Sequence, residues 1–322
     1  METGKTYVLR LYPAEKTILM IVAAIGFSAW VLAETKGIAV EYSMFFKPVL
    51  AGVVFVALGI MLRRTWNAER LALIVILAGA FVLDAIVFTT YNVMLLPRHM
   101  EPVDAFWVKV DAMLGYSWPA FCAWFANYPW LADFLRLVYS KAPLFLFMGY
   151  CVLAAYGNRE RLHVSAYACL FASVITIAVW AVFPSAGASG YWTLDPAIDA
   201  IVRPPVNSAY GAQLNHVIVN GVHAMADLNV GGLIGFPSYH TVMAFVPVFA
   251  VWPYRPLRMV ALLILALSVP GILMHGGHNL ADVIAGALIT AVSWMIAVRV
   301  HAAQELRPLH WKQAVPVAIP AE

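Results

Sequence analysis

Charged residues are scarce in this chain. Asp, Glu, Lys and Arg make up 11% of its 322 residues, whereas apolar residues make up 63%. A soluble globular domain carries roughly 25% charged residues, so the composition excludes that class and indicates a membrane protein with several spans. The net charge of +3 comes from loop ends, and it gives no support to nucleic-acid binding.

Cysteines are also few, and several familiar patterns are missing. The three cysteines are an odd number, and Cys151 and Cys169 fall within apolar runs, so neither a disulfide framework nor a metal site follows from them. The first residues do not show the charged, apolar and small-residue segments of a cleavable signal peptide, so we expect the first apolar run to be retained. The absence of an internal repeat or a low-complexity linker predicts one continuous domain.

Long apolar runs predict an all-α polytopic helix bundle with about eight membrane spans. The sixth run is short and contains Pro247, which predicts a kinked span. The runs lie at 17–34, 45–62, 71–91, 140–157, 163–184, 239–254, 257–275 and 279–300.

Basic residues cluster on one side of this eight-span arrangement. The positive-inside rule makes that side cytoplasmic, with both termini inside and segments 92–139, 185–238 and 275–278 outside. Within the first segment, the Trp-rich stretch 104–139 predicts helices in the interface, either as a lid or lipid-entry platform or as an aromatic belt. A weakly amphipathic helix is expected near 206–228.

Two short polar segments interrupt the apolar C-terminal third. In the first, 235–241, Pro237 suits the first turn of a helix, and Ser238 can cap its amides. A helix start has unpaired N–H groups and a positive dipole end, which attract phosphate oxygens. His240 lies within one turn of that start.

The second polar segment, 275–282, contains His278 and Asp282, four residues apart and therefore on one helix face. A carboxylate there can accept from one ring nitrogen and leave the other free to attack phosphorus. Together the two segments indicate a covalent phosphoryl-transfer site with a nucleophile, an orienting carboxylate and a general acid. A second His-x-x-x-Asp pattern, His223 to Asp227, lies in an outer loop, where we expect it to face solvent.

These segments resemble a known family. Phe236-Pro237-Ser238-Tyr239-His240-Thr241 and Gly276-Gly277-His278-x-x-x-Asp282-Val283-x-x-Gly286 resemble the second and third motifs of the type 2 phosphatidic acid phosphatase superfamily. More narrowly, the chain is similar to the inositolphosphotransferase branch, which holds fungal inositol phosphorylceramide synthase and bacterial relatives. Bacterial members of this branch also resemble the chain at segments 111–120 and 128–130 and at Tyr139. The resemblance covers roughly residues 104 to 300.

The resemblance implies a six-helix catalytic core. We place this core in residues 101–304, after the N-terminal spans in residues 1–100. It implies that His278 attacks phosphorus, that Asp282 orients the imidazole and that His240 protonates the leaving oxygen, without a metal or other cofactor. The implied partners are membrane lipids: a phospholipid or isoprenoid phosphate donor, and a lipid alcohol or water as acceptor. The expected phosphate contacts are Ser238, Tyr239, Gly277, Lys141 and Arg203. The two cations have an equally good alternative without a phosphate, in which Lys141 is an interfacial lysine and Arg203 an exposed loop arginine.

The chain also departs from the superfamily. Phosphatases of this group have an arginine six residues before the nucleophilic histidine and an earlier Lys-x6-Arg-Pro motif, but Ile272 occupies the first place and the second motif is missing. A phosphomonoester dianion needs those cations more than a phosphodiester does, so the departure favours headgroup transfer between lipids.

Several alternatives stay open on the sequence alone. One is hydrolysis of a lipid phosphate or isoprenyl pyrophosphate, and another is a non-catalytic lipid-binding or transport protein. A metal held by His216, His223 and Asp227 is a further, weaker alternative. The short loops favour a bacterial inner-membrane protein with its active site on the extracytoplasmic face.

Overall fold

The computed structural model describes residues 11–98, 100–225 and 232–311, with side chains described up to residue 305. In these ranges every regular element is a helix, which confirms the all-helical prediction. In chain order they are α1 Pro13–Lys36, α2 Tyr42–Thr65, α3 Glu69–Met94, α4 Asp104–Met113, α5 Trp118–Ala126, α6 Pro129–Ser140, α7 Ala142–Ala155, α8 Arg159–Val182, α9 Ala188–Tyr191, α10 Pro196–Val202, α11 Ser208–Asn220, α12 Tyr239–Ala250, α13 Arg255–His275 and α14 Leu280–Trp311.

Six of these helices, α1, α2, α3, α8, α13 and α14, are long and apolar enough to cross a membrane. A seventh candidate is the pair α6 and α7, which is bent by 55° at Lys141. Helix α12 has 12 residues and is about 18 Å long, too short to cross a bilayer core alone. The chain is therefore an integral membrane protein. Of the eight predicted spans, the fourth begins at the bend between α6 and α7, and the sixth is the short helix α12.

The first three helices pack closely through small residues and one buried ion pair. A Cβ on Gly79 would lie 2.6 Å from the carbonyl oxygen of Gly52, so α2 and α3 touch backbone to backbone. Near the end of α2, the guanidinium of Arg63 binds both carboxylate oxygens of Glu15, at the start of α1, at 2.8 Å. This bidentate geometry compensates two charges that are otherwise costly to bury.

Short helices form a layer over one end of the bundle. The predicted stretch 104–139 folds as α4, α5 and α6, and Trp118 at the start of α5 is buried with its indole N–H donating to the carbonyl of Leu273. The helix expected near 206–228 is shorter, because α11 ends at Asn220. Residues 226–231 lie outside the described part of the chain, and so does Asp227.

Candidate active site

Three loops meet beneath this layer: 183–187 after α8, 232–238 before α12, and 276–279 between α13 and α14. The amide of Gly235 donates to the carbonyl of Ser185 at 2.9 Å, and the amide of Ser189 donates to that of Gly277 at 3.2 Å. Ser238 completes the connection, because its amide donates to the carbonyl of Asp282 at 3.0 Å. Main-chain hydrogen bonds therefore hold the two polar segments together.

Glycine makes this close approach possible at two contacts. A Cβ on Gly235 would lie 2.2 Å from the amide nitrogen of Gly187, and a Cβ on Gly286 would lie 2.4 Å from the carbonyl oxygen of Ser238. Both distances are far shorter than any real carbon contact, so neither position accepts a side chain without moving the backbone. Gly286 is one turn beyond Asp282 on α14, and it sets how closely α12 approaches His278 and Asp282.

His278 is oriented by two acceptors on one ring nitrogen. Its Nδ1 lies 2.8 Å from the carbonyl oxygen of Gly235 and 3.2 Å from a carboxylate oxygen of Asp282. A carbonyl oxygen cannot donate, so we assign the proton of the neutral ring to Nδ1. Nε2 then has a lone pair, which accepts from the hydroxyl of Ser238 at 3.2 Å. This is the tautomer that a nucleophilic histidine requires.

Burial keeps His278 neutral. The side chain is 4% exposed, and burial lowers its pKa from 6.5 to about 4, although the hydrogen bond to Gly235 opposes this shift. At neutral pH the imidazole is therefore unprotonated at Nε2 and available to attack an electrophile.

Asp282 is fully buried and serves two partners through one oxygen. Besides Nδ1 of His278, this oxygen accepts from the amide of Asn279 at 2.8 Å. Its other carboxylate oxygen has no hydrogen-bond partner within the described residues. The carboxylate thus stands beside the imidazole, where it can stabilise a positive charge that develops on the ring.

His240 is in the first turn of α12, facing the same site. Its ring centroid is 6.4 Å from that of His278, and its ring stacks on Tyr139 at 4.4 Å with an angle of 29° between the planes. The stacking on Tyr139 fixes the direction of the imidazole. The imidazoles of His240 and His278 are therefore neighbours at the same site.

The other residues expected at the phosphate differ in their placement. Ser238 is buried against His278, whereas the side chain of Tyr239 turns away into the bundle. The hydroxyl of Tyr239 receives a hydrogen bond from Ser173 at 2.9 Å and donates to the carbonyl of Cys169 at 3.3 Å. Only the main chain of Tyr239 is therefore positioned for an anion. Gly277 is left-handed, with φ +60°, and is packed against Ser189.

The two predicted cations lie at the edge of the layer. Arg203 binds both carboxylate oxygens of Asp133, at 2.7 and 2.9 Å, and its side chain is 53% exposed. Lys141 is exposed at the bend between α6 and α7. The described contacts do not join either residue to His278 or Asp282.

Two aspartates that the sequence did not assign to the site connect its loops to α4. The carboxylate of Asp104 accepts from the Ser185 hydroxyl at 2.5 Å and from the amides of Ala186 and Gly187 at 3.0 Å. Burial raises the pKa of Asp104, and these three hydrogen bonds oppose the shift.

Asp111, two turns further along α4, accepts from the amides of Leu280 and Ala281 at 2.9 and 3.0 Å. It thereby caps the first turn of α14, directly after His278. The available signal was the spacing of seven residues, which places both carboxylates on one face of an apolar helix.

The described residues contain no group of three His, Cys, Asp or Glu side chains arranged to hold a metal ion. His216 lies in α11 and His223 follows that helix, but the third proposed ligand, Asp227, is outside the described residues.

Comparison with known families agrees with the site geometry. A family model described as the PAP2 superfamily matches residues 106–296, which is more than half of the chain. The chain belongs to the PAP2 superfamily, and it is a membrane enzyme of the lipid phosphatase and phosphotransferase type. No curated protein and no solved structure matches the chain.

Proposed function

We propose that this enzyme transfers a phosphorylated headgroup from a donor phospholipid to a lipid alcohol through a covalent intermediate on His278. The proposed catalytic region is 101–304, and the proposed branch of the superfamily is that of the inositolphosphotransferases. The observation that carries the proposal is the set of contacts around His278. Its imidazole is buried and neutral with Nε2 free of its proton, and the position where an arginine is expected holds Ile272, which is fully buried in an apolar cluster.

In the first half of the reaction, Nε2 of His278 attacks the phosphorus of the donor diester. A nitrogen–phosphorus bond forms, the bond to the diacylglycerol oxygen breaks, and protonated His240 supplies the proton to that leaving oxygen. Burial and the neighbouring His278 lower the pKa of His240 to about 3, so the negative charge of the bound phosphodiester must raise this pKa before His240 can act as the acid. In the second half His240 removes the proton of the acceptor hydroxyl, whose oxygen attacks phosphorus and releases His278. Asp282 stabilises the positive charge that the ring acquires while it is bonded to phosphorus.

The charge balance favours a diester over a monoester. A phosphodiester has one negative charge, and the main-chain amides of Tyr239 and His240 at the start of α12 can receive it. A monoester dianion needs closely placed cations. Lys141 and Arg203 are the two cations proposed to approach the phosphate, and Arg203 is already engaged by Asp133, a carboxylate that it shares with Arg136.

An activity assay separates transfer from hydrolysis. Purified protein in lipid micelles is given phosphatidylinositol with ceramide or diacylglycerol as acceptor, and in parallel phosphatidic acid and isoprenyl pyrophosphate. We expect headgroup exchange that is lost in His278→Ala and no release of inorganic phosphate. Phosphate release that is lost in His278→Ala would make the enzyme a hydrolase. The absence of both activities in the unmutated protein would favour a non-catalytic lipid-binding role.

A further inference from the structure

A polar pocket opens at the opposite end of the bundle from His278. It has a volume of about 600 Å³ and lies where α8 begins, whereas the candidate active site follows the end of α8. The 24 residues of α8 separate the two by about 36 Å. A pocket of this size is within the range of small-molecule sites. Its lining includes Tyr12, Arg70, Tyr156, Arg159 and Tyr254.

Two arginines of the lining have no carboxylate partner among the described residues. The guanidinium of Arg159 stacks over the ring of Tyr12 at 4.2 Å from its centre. Arg70 lies along Gly157, with Nη2 3.8 Å from where a Cβ of that glycine would be. Within the described residues neither arginine forms an ion pair. Both therefore have N–H groups available to an anion in the pocket, and the stacking on Tyr12 restrains the guanidinium of Arg159.

The carboxylates around the pocket do not cancel this positive charge. Glu69 is bound to Arg63 at 2.9 Å, but Arg63 also binds Glu15, so these three side chains together keep one negative charge. Glu160 is the second acidic residue of the lining. Arg161 stands next to Glu160 but donates to main-chain carbonyl groups, so it adds a positive charge at the same helix start. The four arginines, Arg63, Arg70, Arg159 and Arg161, thus exceed the three carboxylates by one positive charge.

Four helices, α1, α3, α8 and α13, begin around the pocket, and two, α2 and α7, end there. The positive dipole ends outnumber the negative ones and add to the field of the arginines. The tyrosine rings of the lining are held in place, because Tyr156 and Tyr254 pack at 4.6 Å and the Tyr254 hydroxyl accepts from Asn158 at 2.9 Å. Tyrosines at helix ends of a membrane protein are typical of the headgroup layer.

We propose that this pocket is a second phosphate site, which binds the phosphate ester of an anionic headgroup between Arg70 and Arg159. Two guanidinium groups recognise a phosphodiester by paired N–H···O bonds. The pocket shares its membrane side with the basic loop ends, and the anionic leaflet of a cell membrane is the cytoplasmic one. Helices α1 and α3 line one side of the pocket, and α8 and α13 line the other. A bound headgroup would therefore connect the first three helices to the rest of the bundle.

The test measures binding to the full-length protein in detergent micelles. Phosphatidylglycerol and the soluble ester glycerol 3-phosphate are titrated separately, and dissociation constants are taken from the rise in thermal midpoint. The double variant Arg70→Gln with Arg159→Gln is compared with Arg64→Gln, an exposed arginine at the same end of the bundle that does not line the pocket. Because the exchanged side chains are exposed, the ligand-free midpoints should agree.

We expect the double variant to bind at least about tenfold more weakly, which corresponds to about 1.4 kcal/mol, and the control to bind as the unmutated protein does. If only phosphatidylglycerol shows this loss, the phosphate belongs to a lipid; if glycerol 3-phosphate shows it too, the site takes soluble esters. Equal binding by the double variant, or an equal loss in Arg64→Gln, would overturn the proposal, because general surface charge would then explain the affinity.

Discussion

At the scale of single residues, the nearer partner of His278 is a main-chain carbonyl. The Gly235 oxygen is 2.8 Å from Nδ1, and the carboxylate of Asp282 is 3.2 Å away. The carbonyl can keep the ring in its tautomer even without the carboxylate. In the proposed mechanism the contribution of Asp282 is therefore mainly electrostatic, and it is largest when the ring is bonded to phosphorus.

This division of roles predicts the behaviour of Asp282→Asn. We expect kcat to fall by about 10²-fold and KM to stay nearly unchanged. The fall is smaller than in enzymes where the same substitution also changes the tautomer of the histidine. Steady-state kinetics on the transfer reaction provide the measurement. Glu101→Gln, which neutralises an exposed carboxylate, is the control and should keep full activity. A fall in kcat beyond about 10⁴-fold would show that the carboxylate sets the tautomer after all.

The lowered pKa of His278 predicts the acid side of the pH profile. Because protonation removes the lone pair on Nε2, activity should decline as pH falls through about 4, not through 6.5. The stability of the fold depends on pH in the same direction, because His278 takes up a proton near pH 6.5 in the unfolded chain but only near pH 4 in the folded protein. Its contribution to the free energy of unfolding is therefore fully present above pH 6.5 and is lost as pH falls toward 4. Measurements of kcat/KM against pH, with thermal midpoints alongside, test both statements. An acid limb near 6.5 that belongs to His278 would contradict the buried neutral imidazole.

At the scale of elements, the site depends on how closely α12 and α14 meet. Gly286→Ala places a methyl group 2.4 Å from the Ser238 carbonyl, so the start of α12 must move away from His278. We expect a loss of activity of about 10²-fold, as is typical of a misplacement near 1 Å, with the protein still folded. Gly149→Ala on α7 is the matched control, because its nearest contact would be an ordinary 3.6 Å. Equal activity of both variants would show that the contact does not position the site.

The elements also show what a sequence can and cannot predict here. Hydrophobic runs predicted every long helix, and the four-residue spacing predicted that His278 and Asp282 meet. The carbonyl of Gly235 had no signal, because every residue has one. Asp104 was missed because its partner Ser185 is 81 residues away, and the direction of Tyr239 depends on the packing of α12 against α8.

At the scale of the whole molecule, the candidate active site and the basic loop ends lie at opposite ends of the bundle. The positive-inside rule then predicts an extracytoplasmic active site. In a variant without native cysteines, Met113→Cys should react with a membrane-impermeant maleimide in intact cells of an expression host. Trp66→Cys, at the other end and also exposed, should react only after the membrane is opened. Reversed labelling would place His278 on the cytoplasmic side.

The most direct test of the central claim is to trap the covalent intermediate. The enzyme is mixed with phosphatidylinositol, quenched within one turnover under alkaline conditions that preserve phosphohistidine, and digested for mass spectrometry of the peptide that contains His278. The account predicts an adduct on His278 with the mass of inositol phosphate, and no adduct in His278→Ala. An adduct of phosphate alone would contradict headgroup transfer, and an unmodified His278 during active turnover would contradict its role as the nucleophile.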